Sequence, residues 1–75
     1  MKTKFKARDR IIVNPDSKNV WIRGKIGEIV RFLEEDNHPG SFYQWTYEVK
    51  FEDGETSYVP QWEMELYNYN IAIAQ

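Results

Sequence analysis

The chain contains no cysteine, one histidine and no long apolar run. The lack of cysteine excludes disulfides and thiolate metal sites, and a lone histidine argues against a zinc site. No apolar run approaches the about 20 residues that a membrane helix requires, and no apolar stretch of a secretory signal follows the N-terminal lysines. We therefore expect one cytoplasmic domain over residues 1–75, with a core over about 5–67, a tail over 68–75 and no membrane partner.

A second absence is that of any window with sustained helical periodicity, so no long helix is expected. Short β-branched runs bounded by turn formers instead predict strands at 10–13, 26–33 and 56–59. The strictest alternation runs over 43–52 and predicts a strand that buries one face, formed by Tyr43, Trp45, Tyr47, Val49 and Phe51. Asp53-Gly54 predicts a two-residue hairpin turn of type I′. Pro60 ends the next strand and favours one short 3-10 turn over 61–64.

Two stretches of the chain resemble known small domains. The segment from Asp9 to Val13, followed by Arg23-Gly24-Lys25-Ile26-Gly27, resembles a KOW motif, with Gly27 at its most characteristic glycine. The segments at 47–54, 58–60 and 64–66 resemble the third strand, hairpin and closing strand of Tudor-like domains. These resemblances imply an SH3-like small barrel, in which KOW domains bind RNA or proteins and Tudor domains often bind methylated side chains. They also imply that Tyr47 and Phe51 belong to the barrel wall.

The predicted fold is all-β, namely a five-stranded antiparallel SH3-like barrel, because barrel closure hides the edges of short strands. Most of the predicted core comes from Ile11, Val13, Ile26, Ile29, Val49, Phe51, Val59 and Leu66. A further alternating run over 67–73 predicts an extra C-terminal strand. That strand would pair near Phe5 in the same chain, or with a second copy in a homodimer. The other interpretation of the run is a frayed terminus.

Charge is distributed unevenly along the chain. Residues 1–25 hold eight basic and two acidic residues, whereas 26–75 hold two basic and ten acidic residues, for a net charge of −2. Arg23 and Lys25, with Trp21 as a stacking platform, are candidate nucleic-acid contacts. The acidic residues that follow would repel phosphates unless they lie on another face. Pairing of the two halves as surface ion pairs is the other interpretation of the asymmetry.

No residue pattern indicates catalysis. His38 lies in a loop that contains proline and glycine, no activated nucleophile accompanies it, and Glu34-Glu35-Asp36 is typical of a solvated charge run. The sequence therefore predicts no catalytic residue, no metal, no cofactor and no enzyme activity.

Aromatic residues are the remaining candidates for a binding surface. Trp21 falls in an early loop, and a tryptophan without a place in the core marks a contact surface. The other candidates are Tyr43, Trp45, Tyr58 and Trp62, which either fill the core or form a cage for a cation. We predict a small non-catalytic module that binds another protein through loops and surface aromatics. A KOW-type RNA- or DNA-binding module and an accessory subunit that docks on a larger enzyme are the alternatives.

Overall fold

The structure is a computed structural model that describes residues 2–67. Its five strands are β1 (Arg10–Val13), β2 (Ile26–Phe32), β3 (Thr46–Phe51), β4 (Thr56–Pro60) and β5 (Met64–Leu66). Single-turn 3-10 helices lie at Glu34–Asp36 and Gln61–Glu63. The described part of the chain contains no helix of a length and apolar character that could span a membrane.

The strands form one antiparallel sheet in the order β4-β3-β2-β1-β5. The prediction of an all-β, five-stranded antiparallel fold with a short 3-10 turn is thereby confirmed. The sheet is not closed into a barrel, because the described residues form no ladder between the end strands β4 and β5. These two strands are joined by the 3-10 turn Gln61–Glu63 instead of a hairpin.

The core lies on one face of the sheet. Six of the eight predicted core residues are buried, and Ile26 is half-buried. Leu66 was wrongly predicted, since it is the last residue of the end strand β5 and is exposed. The further buried apolar side chains are those of Phe5, Ile22, Leu33, Tyr47 and Met64.

Strand β3 begins later than the alternation predicts. The expected strand over 43–52 starts only at Thr46, because Trp45 adopts a left-handed backbone conformation with φ of 58°. Its amide donates to Asn37 Oδ1 at 2.9 Å, and its carbonyl accepts from the Gln61 amide at 2.8 Å. The reversal at Trp45 breaks the period-two pattern, so Tyr43 does not continue the buried face of Tyr47.

The hairpin between β3 and β4 also differs from the prediction. The Phe51 amide donates to the Glu55 carbonyl at 2.8 Å, and the Gly54 amide donates to the Phe51 carbonyl at 2.9 Å. The connection therefore has three residues, and only Gly54, with φ of 90°, takes the left-handed conformation. Asp53 keeps negative φ and accepts a hydrogen bond from the Glu55 amide at 2.9 Å. This bond, in which an aspartate side chain accepts from the amide two residues later, is an Asx-type contact and competes with a type I′ turn.

Gly27 permits the close approach of β2 and β3. It is buried and pairs with Phe51 across the ladder. A β-carbon at this position would lie 2.8 Å from the Lys50 carbonyl oxygen and 2.9 Å from the Phe51 ring. Glycine is therefore required here by space, not by backbone conformation.

The C-terminal prediction falls largely outside the described residues. Tyr67 continues the ladder, because its amide donates to the Arg10 carbonyl at 2.9 Å. Residues 68–75 are not described, so the extra strand over 67–73 stays a prediction.

We predict that Gly54→Val lowers the free energy of unfolding by about 1 kcal/mol or more, because valine resists positive φ. Among residues 2–67, no atom beyond the adjacent residues lies within 4 Å of a β-carbon built there, so the loss comes from backbone strain. Gly54→Asn is the matched control, since asparagine tolerates this conformation, and it should lose less stability. Equal chemical denaturation midpoints for the valine variant and the parent chain would contradict the left-handed backbone conformation of Gly54.

Candidate functional site

Exposed aromatic rings surround a hollow of about 450 Å³, here called the aromatic groove. Phe42 is 91% exposed and Trp62 is 58% exposed, which is unusual for such large apolar side chains. The groove is lined by Lys18, Asn19, Phe42, Tyr43, Thr46, Tyr58, Pro60, Trp62 and Glu63.

Three segments bring the rings of the groove together. Tyr58 points outward from the end strand β4, while its neighbour Val59 points into the core. Trp62 lies in the 3-10 turn directly after the buried Gln61. The loop before β3 supplies Phe42 and Tyr43, since the reversal at Trp45 takes this loop out of the strand. The site is therefore built from one strand, one turn and one loop.

The rings form a row rather than a cage. The ring centroids of Phe42 and Tyr43 lie 5.2 Å apart, and those of Tyr43 and Tyr58 lie 5.5 Å apart, both in T-shaped contacts. A cation cage needs ring faces that converge on one empty centre within about 6 Å. Here neighbouring rings contact each other, so the arrangement is an elongated apolar surface. Such a surface suits the side chains of an extended segment better than a single cationic group.

A second hollow of about 440 Å³ shares Trp62 with the aromatic groove. It is lined by Lys2, Lys4, Gln61 and Trp62 and is here called the lysine hollow. Trp62 belongs to the lining of both hollows, so it separates an apolar surface from a positively charged one.

A buried hydrogen-bond network fixes the lysine hollow. The Tyr47 hydroxyl donates to Gln61 Oε1 at 2.8 Å, and both oxygens accept from the Lys4 amide at 3.1 and 3.0 Å. Gln61 Nε2 donates to the Lys2 carbonyl at 2.9 Å. The same Tyr47 hydroxyl accepts from the Phe5 amide at 3.3 Å. The N-terminal segment is thus held against the turn that carries Trp62.

The loop before β2 lies against the aromatic groove through Glu63. The Glu63 carboxylate accepts hydrogen bonds from the Ser17 hydroxyl and, at 3.0 Å, from the Lys18 amide. Ile22 anchors the loop in the core. Trp21 lies farther along this loop, is 85% exposed and does not line the groove.

The predicted basic contacts are occupied by other partners. Arg23 Nε donates to the Ser17 carbonyl at 2.6 Å, and Lys25 Nζ pairs with Asp53 at 2.5 Å. The hydrogen bond that Lys25 donates to the Asp53 carboxylate is the main cause that raises the pKa of Lys25. The same bond, followed by that from the Glu55 amide, lowers the pKa of Asp53. Lys25 is therefore committed to a local ion pair.

The structure brings together three of the seven predicted site residues, namely Tyr43, Tyr58 and Trp62. Trp45 is half-buried and packs on Phe32 with ring centroids 6.0 Å apart. Trp21, Arg23 and Lys25 lie outside both hollows. Sequence reasoning missed Phe42, Lys18 and the two lysines of the lysine hollow. In the sequence, Phe42 is only an aromatic residue outside the alternating run, and Lys2 and Lys4 belong to a cluster of N-terminal lysines. Neither feature specifies a place in the fold.

Other polar clusters are simpler. His38 is exposed, and its Nδ1 lies 3.3 Å from the Pro39 carbonyl oxygen. Among residues 2–67, no group of three or more histidine, aspartate or glutamate side chains could hold a metal ion.

No family model, curated protein or solved structure matches the chain. The candidate site therefore rests on the residues and geometry given above.

The hydrogen-bond network generates a test of how the site is held. Gln61→Leu and Tyr47→Phe should each lower the free energy of unfolding by about 1–3 kcal/mol, since each leaves buried polar groups without a partner. The double variant should lose less than the sum of the two, because both side chains belong to one network. Urea denaturation measures all three values. Tyr58→Phe, which removes an exposed hydroxyl, is the control and should change stability by less than about 0.5 kcal/mol. Strict additivity would contradict the network.

Proposed function

We propose that this protein is a small non-catalytic interaction module that binds another protein through the aromatic groove. The observation that carries this proposal is the row formed by Phe42, Tyr43 and Tyr58, continued by Trp62 around one open hollow. Contiguous exposed apolar surface on a small domain marks a site of interaction. Tyrosine and tryptophan dominate the energetics of such sites, because their large rings also carry a hydrogen-bonding group.

The shape of the groove favours an extended peptide segment as the ligand. Tyr58 lies on the end strand β4, and Pro60 closes that strand beside Trp62. An extended segment exposes alternate side chains to such a row of rings, and its backbone remains available to the tyrosine and indole donors. The groove therefore offers both apolar contact area and polar contacts along its length.

Protein binding is better supported than nucleic-acid binding through the Trp21-to-Lys25 loop. Lys25 is paired with Asp53, and Arg23 is bound to a backbone carbonyl within its own loop. A phosphate at Lys25 would have to compete with the Asp53 carboxylate, which reduces the electrostatic gain that such binding depends on.

We also propose kinship with small barrels of the KOW and Tudor type. The close approach of Gly27 to Lys50 and Phe51 supports this proposal, because it gives the motif glycine a structural role. An accessory subunit that docks on a larger enzyme would use the same aromatic groove, and only the identity of the partner would differ.

Trp62→Ala and Trp21→Ala form a matched pair that tests this function. Both remove an exposed indole, but only Trp62 lines the groove. Peptides are selected on the parent chain from a short random display library, and their affinities for each variant are measured by calorimetry. Trp62→Ala should weaken binding by about 30-fold or more, as expected for a central aromatic anchor. Trp21→Ala should leave affinity within about threefold.

Two results would overturn the proposed function. One is a library selection that yields no peptide sensitive to Trp62→Ala. The other is an equal loss of affinity in Trp21→Ala, which would move the site to the early loop. Thermal melting of both variants verifies that each remains folded.

A further inference from the structure

The three lysines that line the two hollows differ in their partners from four other basic side chains of the described residues. Ion pairs of 2.5–3.6 Å engage Lys6, Arg10, Lys25 and Arg31 with nearby carboxylates. Within residues 2–67, six basic side chains have no carboxylate within 4.0 Å: Lys2, Lys4, Arg8, Lys18, Arg23 and Lys50. Three of these six line the two hollows.

The two hollows form one bipartite surface. Lys18 lies on the wall of the aromatic groove, and Lys2 and Lys4 line the lysine hollow. Glu63 is the single acidic residue among the described lining residues, and its carboxylate already accepts from the Ser17 hydroxyl and the Lys18 amide. The aromatic groove therefore carries one lysine and one carboxylate beside its ring row, and the excess of positive charge lies in the lysine hollow.

We propose that the ligand of this surface is an extended acidic peptide segment of a partner protein. Its apolar side chains pack on Tyr58 and Trp62 in the aromatic groove, and its carboxylates pair with Lys2 and Lys4 in the lysine hollow. This inference rests on the proposed function and adds the charge of the ligand to it.

The positions of the lysines support a carboxylate contact. The backbone of Lys2 and Lys4 is held by Gln61, so the two lysines are brought to Trp62 before a ligand arrives. Binding then costs less conformational entropy than it would with a free terminus, because this segment of the protein is already ordered. Each carboxylate that meets a lysine also gains a charge-assisted hydrogen bond.

An acidic peptide fits better than a nucleic-acid strand. The two lysines of the lysine hollow can balance a few carboxylates, whereas a nucleic-acid strand carries a charge on every nucleotide and needs a longer basic surface. The rings of the row also contact one another edge to face, with interplanar angles of 78° and 86°. Bases that stack in succession on aromatic side chains need ring faces that are open to them.

The test extends the library selection with charge variants. Peptides selected on the parent chain should carry excess aspartate and glutamate relative to the starting library. Replacement of their acidic residues by asparagine and glutamine should weaken binding by about tenfold or more at an ionic strength of about 50 mM, and by less at 0.15 M. The double variant Lys2→Gln/Lys4→Gln should lose most of this preference. The control variant Lys6→Gln/Lys50→Gln removes the same amount of charge outside both hollows and should retain the preference for acidic peptides.

Each alternative outcome decides between explanations. Selected peptides that bind through Trp62 without any acidic excess would overturn this inference and leave the proposed function standing. An equal loss of preference in the control variant would also overturn it, since net charge would then suffice. The absence of any Trp62-dependent peptide would overturn the proposed function itself. A short oligouridylate that binds more tightly than the peptides, and in a Trp62-dependent way, would replace the peptide with single-stranded RNA.

Discussion

The candidate site depends on the buried hydrogen bond between Tyr47 and Gln61. Tyr47 belongs to β3, and Gln61 begins the 3-10 turn after β4, so this contact joins the sheet to the turn. Through the same two side chains, the backbone of Lys2 and Lys4 is tied to a point about 57 residues away in sequence. Trp62 follows Gln61 directly, so its ring lies beside those lysines. One polar contact inside the core thus determines the composition of the surface above it.

A second constraint, the left-handed backbone of Trp45, converts a core pattern into a surface site. Up to this residue the sequence alternates as a buried strand would, and Tyr43 would then point into the core. The reversal begins the strand at Thr46 and leaves Tyr43 in contact with Tyr58 and Phe42. Non-glycine residues adopt positive φ only where surrounding contacts enforce it. Here the backbone hydrogen bonds of Trp45 to Asn37 and to Gln61 do so, which links this constraint to the first.

Local patterns predicted the strands, whereas side-chain hydrogen bonds and contacts between distant segments determined what could not be predicted. The β-branched residues and the turn formers after them placed strand β1 correctly. Turn chemistry correctly predicted that position 54 needs a glycine. The length of the hairpin was predicted wrongly, because the Asp53 side chain within the turn accepts a hydrogen bond from the Glu55 amide. The prediction that Leu66 is buried was also wrong, since a sequence pattern does not indicate that a strand lies at the end of a sheet. For the site, aromatic composition predicted the residue types but not that Phe42 lies beside Tyr58.

Folding neutralises only part of the charge asymmetry of the sequence, and the positive charge that stays unpaired determines what kind of recognition remains. Arg10 pairs with Glu52, and Lys25 pairs with Asp53, so the basic first third meets the acidic remainder across the sheet. Such exposed pairs contribute little stability each, but they weaken the positive field that would otherwise attract a polyanion over long distances. The positive charge that remains at the site is short-range and lies next to Trp62. Recognition by this surface therefore depends on contact between matched groups and not on the net charge of either partner.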